Sequence, residues 1–364
     1  MEAFSTQYLS LILTIALWFG IYAIVVQSLN IEYGYGGIPN FGRALAVLMG
    51  GIAVGGIVNR ILMVAYGISG DIVRASGAVK SIANEIIVRE PGFGVLIILA
   101  SLGLAAVLGG FTGALFILPS AKLSEDYLAM TLLAISEVAY LVSNYDVDII
   151  GGYYGVSVPN VLAFVPGESR VLVFAVLTII IAFACYLFAT RLLNSPYGRT
   201  LRAMRENEGV SKAYGKDVMK LRIKTVAVGS AMASLAGALY SLFSVNVITT
   251  SFSRVEWTFY PILMVLLGGA GNSTGVLLGT FIFVLSRILL ITYKFEITSV
   301  LRLPFEAVWL EYILFGVIML MILIYRPVGL LREKPILTGP IKKAAKAREL
   351  NQSQRNSETT RLSS

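Results

Sequence analysis

The sequence predicts an all-α polytopic membrane protein with about eight or nine transmembrane helices. Of its 364 residues, 57% are hydrophobic and only 14% charged, and the mean hydropathy is +0.79. A soluble domain is about 25% charged, and a bilayer core takes about 20 predominantly apolar residues per helix. A soluble fold is therefore excluded, and the chain holds enough apolar residues for roughly eight spans.

Apolar runs of spanning length lie at about 8–29, 41–64, 93–118, 126–143, 169–191, 222–245, 274–293 and 306–326, with a shorter run at 258–268. The first is expected to be a retained helix. Residues 1–7 contain Glu2 and no Lys or Arg, and the run outlasts the core of a signal peptide. The linker Tyr33 to Gly42, YGYGGIPNFG, is either a plain turn or a broken helix beside a water-filled cavity, where exposed backbone groups can serve a solute. Segment 65–91, with Asp71, Arg74, Lys80, Glu85, Arg89 and Glu90 among Ile and Val, reads as an interfacial amphipathic helix or an external loop.

Small residues recur in the later runs. Gly51 and Gly55, Gly109 and Gly113, and Gly275 and Gly279 are each spaced by four, and Gly229, Ala233, Gly237 and Ser241 share one helix face. Such spacing lets backbones approach closely in lipid, where no hydrophobic force drives helices together. Two ionisable residues fall inside apolar runs, Glu137 and Arg287. At the centre of an inserted helix each costs about 2.5–3.5 kcal/mol, so each is expected to face the bundle, a partner or water. Neither has an obvious counter-ion nearby in sequence.

The net charge of +8 resides in two segments. Ser195 to Lys224 holds eight basic residues against three acidic ones, and so does the stretch from Leu331 onward. The positive-inside rule puts both in the cytoplasm of a multi-pass protein of the cell membrane. The membrane context and the scarcity of interleaved aromatics argue against nucleic acid as the basic segments' partner. Parity then sends 222–245 outward and 306–326 back, makes 258–268 and 274–293 an inward and outward pair around a cytoplasmic turn at 267–273, and places the Gly-rich loop 148–168 outside. The side of the N-terminus stays open. Residues 1–330 are read as the membrane domain, with a cytoplasmic loop at 192–222. Residues 331–364 form a basic cytoplasmic tail, and its low hydrophobicity predicts disorder.

Catalytic and metal chemistry is largely excluded. The chain has no His, hence no imidazole base or HExxH zinc site. Its single cysteine, Cys185, lies in an apolar run and reads as a small buried hydrophobe. The Gly215-Lys216 pair is followed by Asp217, so it is not a P-loop. No cofactor is expected on this chain.

The most specific stretch runs from Ser195 to Asn207. Ser195 can cap a helix, Pro196 suits its first turn, and good helix formers follow. A short basic helix across the membrane face suits docking to a soluble motor, although charge alone also fits a solvated loop that enforces topology.

SPYGRTLRAMRENEGVSKAYG, from Ser195, and KTVAVGSAMASLAGALYS, from Lys224, resemble the cytoplasmic loop and next helix of LivM/LivH-type permeases. These are the membrane subunits of ABC importers for branched-chain amino acids. Four other segments are similar to the same family in the same order: Asn30 to Gly42; Asp126 to Leu132, with Glu137 and then Gly151-Gly152; VLLGGAGNSTGVLLG from Val265; and Arg326-Pro327-Val328-Gly329-Leu330. The resemblance implies an ABC importer permease bundle that forms the solute pathway together with a similar permease subunit. It also implies two ATPase subunits, which use ATP and Mg, and an extracytoplasmic solute-binding protein. Ser195, Pro196, Gly198, Arg199, Arg202, Arg205, Glu206 and Asn207 are then expected to couple to the ATPase. Asn30, Gly34, Gly36, Gly37, Glu137, Gly151 and Gly152 are expected along the pathway. The chain departs from the family where a Ser-Leu-Gly-His stretch is usual, having Pro39-Asn40-Phe41-Gly42-Arg43 without His, and in the long segment 65–91. Both departures bear on the substrate, expected to be a branched-chain or other hydrophobic amino acid, with urea or short amides as the alternative. An ion-coupled secondary transporter is a rival class that the scarcity of intramembrane carboxylates disfavours. A membrane-embedded enzyme is another, and it would need a catalytic cluster that the sequence lacks.

Overall fold

The computed structural model describes residues 2–167, 169–301, 307–325 and 328–333. The expected disorder of the tail and the Arg326-Pro327 pair fall outside them. Among the described residues, seven helical segments are long and apolar enough to span a bilayer, and a shorter apolar helix covers Trp309–Ile322.

The chain starts in α1, Glu2–Leu29, which loosens into a π-helical stretch at Asn30–Tyr35. The second span is α2, Arg43–Gly51, a π stretch at Ile52–Val58, and α3, Asn59–Ala65. Segment 65–91 resolves into α4, Ile72–Arg89. Its apolar face, including Ile72, Val79 and Ile87, is buried while Arg74, Glu85 and Arg89 stay exposed. Asp71 caps α4 by accepting from Val73 N, and Pro91 occupies the first turn of α5, Pro91–Ile117. α6, Glu125–Tyr145, and the short α7, Val147–Ile150, lead to β1, Val156–Ser157.

α8, Ser169–Asn194, is followed by α9, Pro196–Glu206, and α10, Glu208–Ala213. α11, Val218–Ser244, ends at Val245 in the left-handed region. β2, Asn246–Val247, pairs antiparallel with β1. A π stretch at Val255–Phe259 opens α12, Tyr260–Gly268, and α13, Ser273–Thr292, returns antiparallel to it. α14, Lys294–Leu301, and α15, Ala307–Tyr325, complete the described helices.

Contacts sort these elements into two ends. Near the end that carries α9 lie the π stretch after α1, where Arg205 donates to the Gly34 carbonyl, and the segment after α5, where Arg222 donates to the carbonyls of Ala121 and Leu123 at 2.9 and 3.0 Å. The turn after α12 is there too, with Gly271 N donating to Asn30 Oδ1 at 3.0 Å. So is the stretch after α15, with Leu330 N donating to the Leu267 carbonyl at 2.9 Å. At the far end the β1–β2 pair is braced by α4, whose Ser76 hydroxyl accepts from Ser157 N at 3.1 Å. Asn84 Oδ1 there accepts from Asn160 N at 2.8 Å. α1 therefore starts at the far end.

α11 is the central helix, and its small-residue face is used for packing. Gly237 lies against the Val47 backbone of α2, and Gly109 of α5 lies against Ser234. A Cβ at either glycine would overlap those atoms. The Ser234 hydroxyl donates to the Ala105 carbonyl at 2.5 Å. Close backbone approach and interhelical hydrogen bonds of this kind supply cohesion where burial from water does not.

Candidate functional site

α9 forms because its ends are defined and its faces differ. The Ser195 hydroxyl accepts from Tyr197 N at 3.2 Å, Pro196 fills the first turn, and the Asn207 side chain caps the following α10 by accepting from Val210 N at 3.0 Å. One face is anchored. Leu201 and Met204 are buried, the Tyr197 hydroxyl is 2.7 Å from the Thr225 hydroxyl, and Gly198 packs on the Leu193 backbone with no room for a Cβ. The opposite face leaves Pro196, Arg199, Ala203 and Glu206 exposed, spaced so that they fall in one stripe.

The other two arginines of α9 are half-buried. Arg202 and Arg205 turn inward to the end of α1: the Arg202 guanidinium sits 4.7 Å from the centre of the Tyr35 ring, and Arg205 donates to the Gly34 carbonyl. The reason is local, because the π stretch at Asn30–Tyr35 ends beneath α9 and presents an acceptor and an aromatic face to the two cations. Behind α9, Glu208 receives Lys212 at 2.7 Å and Arg222 at 3.0 Å. The Lys212 hydrogen bond is the first of the causes that hold the Glu208 carboxyl below its ordinary range, and the Arg222 charge adds to it against the effect of burial.

The expected pathway residues do not form one group. Asn30, Gly34, Gly36 and Gly37 cluster under α9, where Asn30 is fully buried and Gly37 takes a φ of 66° beside Arg205. Gly151 and Gly152 make a left-handed turn at the far end, packed on Gly155 and on the Asn144 carbonyl. Glu137 lies between, on α6, 3.3 Å from Arg254. Within 33–42 a π-helical stretch is followed by an irregular elbow, 36–42, that leads into α2. A cavity of about 790 Å³ opens beside this elbow. Gly37, Pro39 and Phe41 line one side, and Glu125, Asp126 and Met130 of α6 line another.

Sequence reasoning missed two charge clusters. Glu32 and Arg43 form an ion pair with both side chains fully buried, and Asn40 Nδ2 donates to Glu32 Oε2 at 2.9 Å. Both charges sit at the edges of apolar runs, where only their separation by the 33–42 linker hinted at a pair. Arg287, which seemed to lack a counter-ion, has two. It forms an ion pair with Glu256, donates from Nε to Glu311 at 2.8 Å and donates from Nη1 to the Tyr22 hydroxyl at 2.7 Å. Its partners come from the π stretch before α12 and from α15, remote in sequence and adjacent in the bundle.

Apolar spans cross the bundle, irregular backbone is buried within it, and a basic amphipathic helix lies across one end. Together these define a multi-pass membrane permease. Residues 11–323 match the model of the family described as branched-chain amino acid transport system, permease component, and the chain belongs to that family. A probable branched-chain amino acid transport permease protein LivM of Methanocaldococcus jannaschii is 57% identical over 335 residues, 92% of this chain and 97% of the relative. High-affinity branched-chain amino acid transport system permease proteins LivM of Escherichia coli and Salmonella typhimurium are each 26% identical over 298 residues, 74% of this chain and 66% of those relatives. No solved structure matches the chain.

Proposed function

We propose that the chain is the membrane subunit of an ATP-driven importer of branched-chain amino acids. It works with a second permease subunit, two cytoplasmic ATPases and an extracytoplasmic solute-binding protein. The observation that carries the reading is α9: its inner face is fixed by Leu201, Met204 and Tyr197 while its outer face offers Arg199 and Glu206. A helix held this way transmits a push to the bundle instead of yielding to it. Gly198 and Pro196 set its angle, and Ser195 and Asn207 fix its two ends. Arg202 and Arg205 belong to the transmission inside the chain rather than to the ATPase contact. The basic loop around α9 puts that end in the cytoplasm by the positive-inside rule, and the stretch following α15 lies at the same end.

The chain itself carries out no covalent chemistry, and ATP with Mg is used by the partner subunits. The substrate reading rests on the relatives' names, and a zwitterion can be handled by neutral donors, acceptors and helix ends. The test is the complex reconstituted in proteoliposomes with Arg199→Ala and Glu206→Ala combined. The expected outcome is loss of ATPase co-purification and of ATP-driven leucine uptake. Unchanged uptake and coupling would show that α9 is not the docking element, and uptake of urea in place of leucine would reassign the substrate.

A further inference from the structure

The elbow between the first two spans is tied to α9 on one side and borders a cavity of about 790 Å³ on the other. We propose that residues 36–42 are a movable gate at the α9 end of the solute path, with Arg202 and Arg205 as the positioning residues that drive it. This inference rests on the docking reading above.

Four observations support it. First, the 790 Å³ cavity meets the elbow at Gly37, Pro39 and Phe41. Further along the same elbow, Asn40 and Gly42 border a separate space of only about 20 Å³ that Leu132 and Ile135 of α6 also line. Second, the elbow is not helical. Its backbone is joined to the π stretch by hydrogen bonds from Gly36 N and Gly37 N to the Tyr33 carbonyl and from Ile38 N to the Glu32 carbonyl at 2.9 Å. Third, α9 grips that same π stretch through Arg205 on the Gly34 carbonyl and Arg202 over Tyr35, while Gly37 lies directly against the Arg205 side chain.

The fourth observation is the buried clamp at the base of the elbow. Glu32 holds Arg43 and Asn40, and Asn40 Oδ1 accepts from Gly42 N at 3.0 Å. Glu32 Oε1 and Arg43 Nε and Nη1 make no hydrogen bond with the described protein. Buried polar atoms left without partners cost free energy, so the base of the elbow is not saturated by its own hydrogen bonds. Movement of α9 then shifts the Gly34 carbonyl and the Tyr35 ring. The displacement passes through the π stretch to the clamp, and the elbow swings relative to α6.

The test uses the whole transporter with Cys185→Ser and Phe41→Cys, probed with a membrane-impermeant maleimide in the nucleotide-free and ATP-trapped states. The labelling rate is expected to differ severalfold between the two states. Arg205→Ala is expected to abolish that difference while the ATPases still co-purify, and Arg205→Lys, which keeps a donor for the Gly34 carbonyl, is expected to restore it. Pro39→Cys provides a second reporter if Phe41→Cys impairs folding. Equal labelling in both states, or a full nucleotide response in Arg205→Ala, would overturn the gate. Failure of the ATPases to bind the parent chain would instead defeat the docking reading, and the gate with it.

Discussion

At the scale of single residues, the account turns on positions where no substitution fits. Gly198 lies on the Leu193 backbone, so Gly198→Ala is expected to lift α9 off its seat and sharply reduce ATPase co-purification. Gly209→Ala, whose nearest neighbour is Asn207 Oδ1 at 3.4 Å, is expected to leave co-purification near the parent level. Equal behaviour of the two variants would separate the seating of α9 from docking. Glu32→Ala strands the Arg43 charge in a site where both side chains are fully buried, a loss of about 3–5 kcal/mol for a broken buried pair. Thermal unfolding of the detergent-purified chain should show a marked fall in midpoint, and an unchanged midpoint would mean that the pair does not brace the fold. Little of this was legible beforehand. Arg202 and Arg205 are indistinguishable from Arg199 in a charge count, and only the position of Tyr35 and the Gly34 carbonyl beneath α9 separates them.

At the scale of elements, the spans were legible because a bilayer demands long apolar runs, and the capping chemistry of Ser195 and Pro196 marked the start of α9. The π stretches at 30–35, 52–58 and 255–259 were not. The stretch at 52–58 is as apolar as its helical neighbours, and those at 30–35 and 255–259, which carry Glu32 and Glu256, show no residue pattern that marks a change of hydrogen-bond register. α4 could be read only as one of two options, and its buried face against β1 decides between them. The junction of α9, α10 and α11 yields a pH prediction. Glu208 is depressed by Lys212 first and by Arg222 as well, so its stabilising contribution is complete above the ordinary Glu value of about 4.3 and declines as pH falls through its lower folded value. The melting difference between the parent and Glu208→Gln should be constant from neutral pH to about pH 5 and shrink in stronger acid. A difference that grew on acidification would reverse the assigned sign.

At the scale of the whole molecule, the sequence already separated an apolar body from two basic segments. What it could not supply was the relation between parts. α1 begins at the far end and finishes under α9, α11 runs through the centre on small residues, and Arg287 gathers Glu256 and Glu311 across three elements. Such pairings span 24 residues or more and leave no local pattern. The resulting picture is of a bundle in which the elbow at 36–42 lies next to α9, the proposed surface for an outside motor to act on.

The central claim is that α9 is that surface, and a photo-crosslinking amino acid introduced in place of Arg199 in the assembled transporter tests it most directly. The account predicts a covalent product with an ATPase subunit, strengthened or weakened by ATP. A product with lipid or the solute-binding protein alone, from a complex that still takes up leucine on ATP addition, would contradict it.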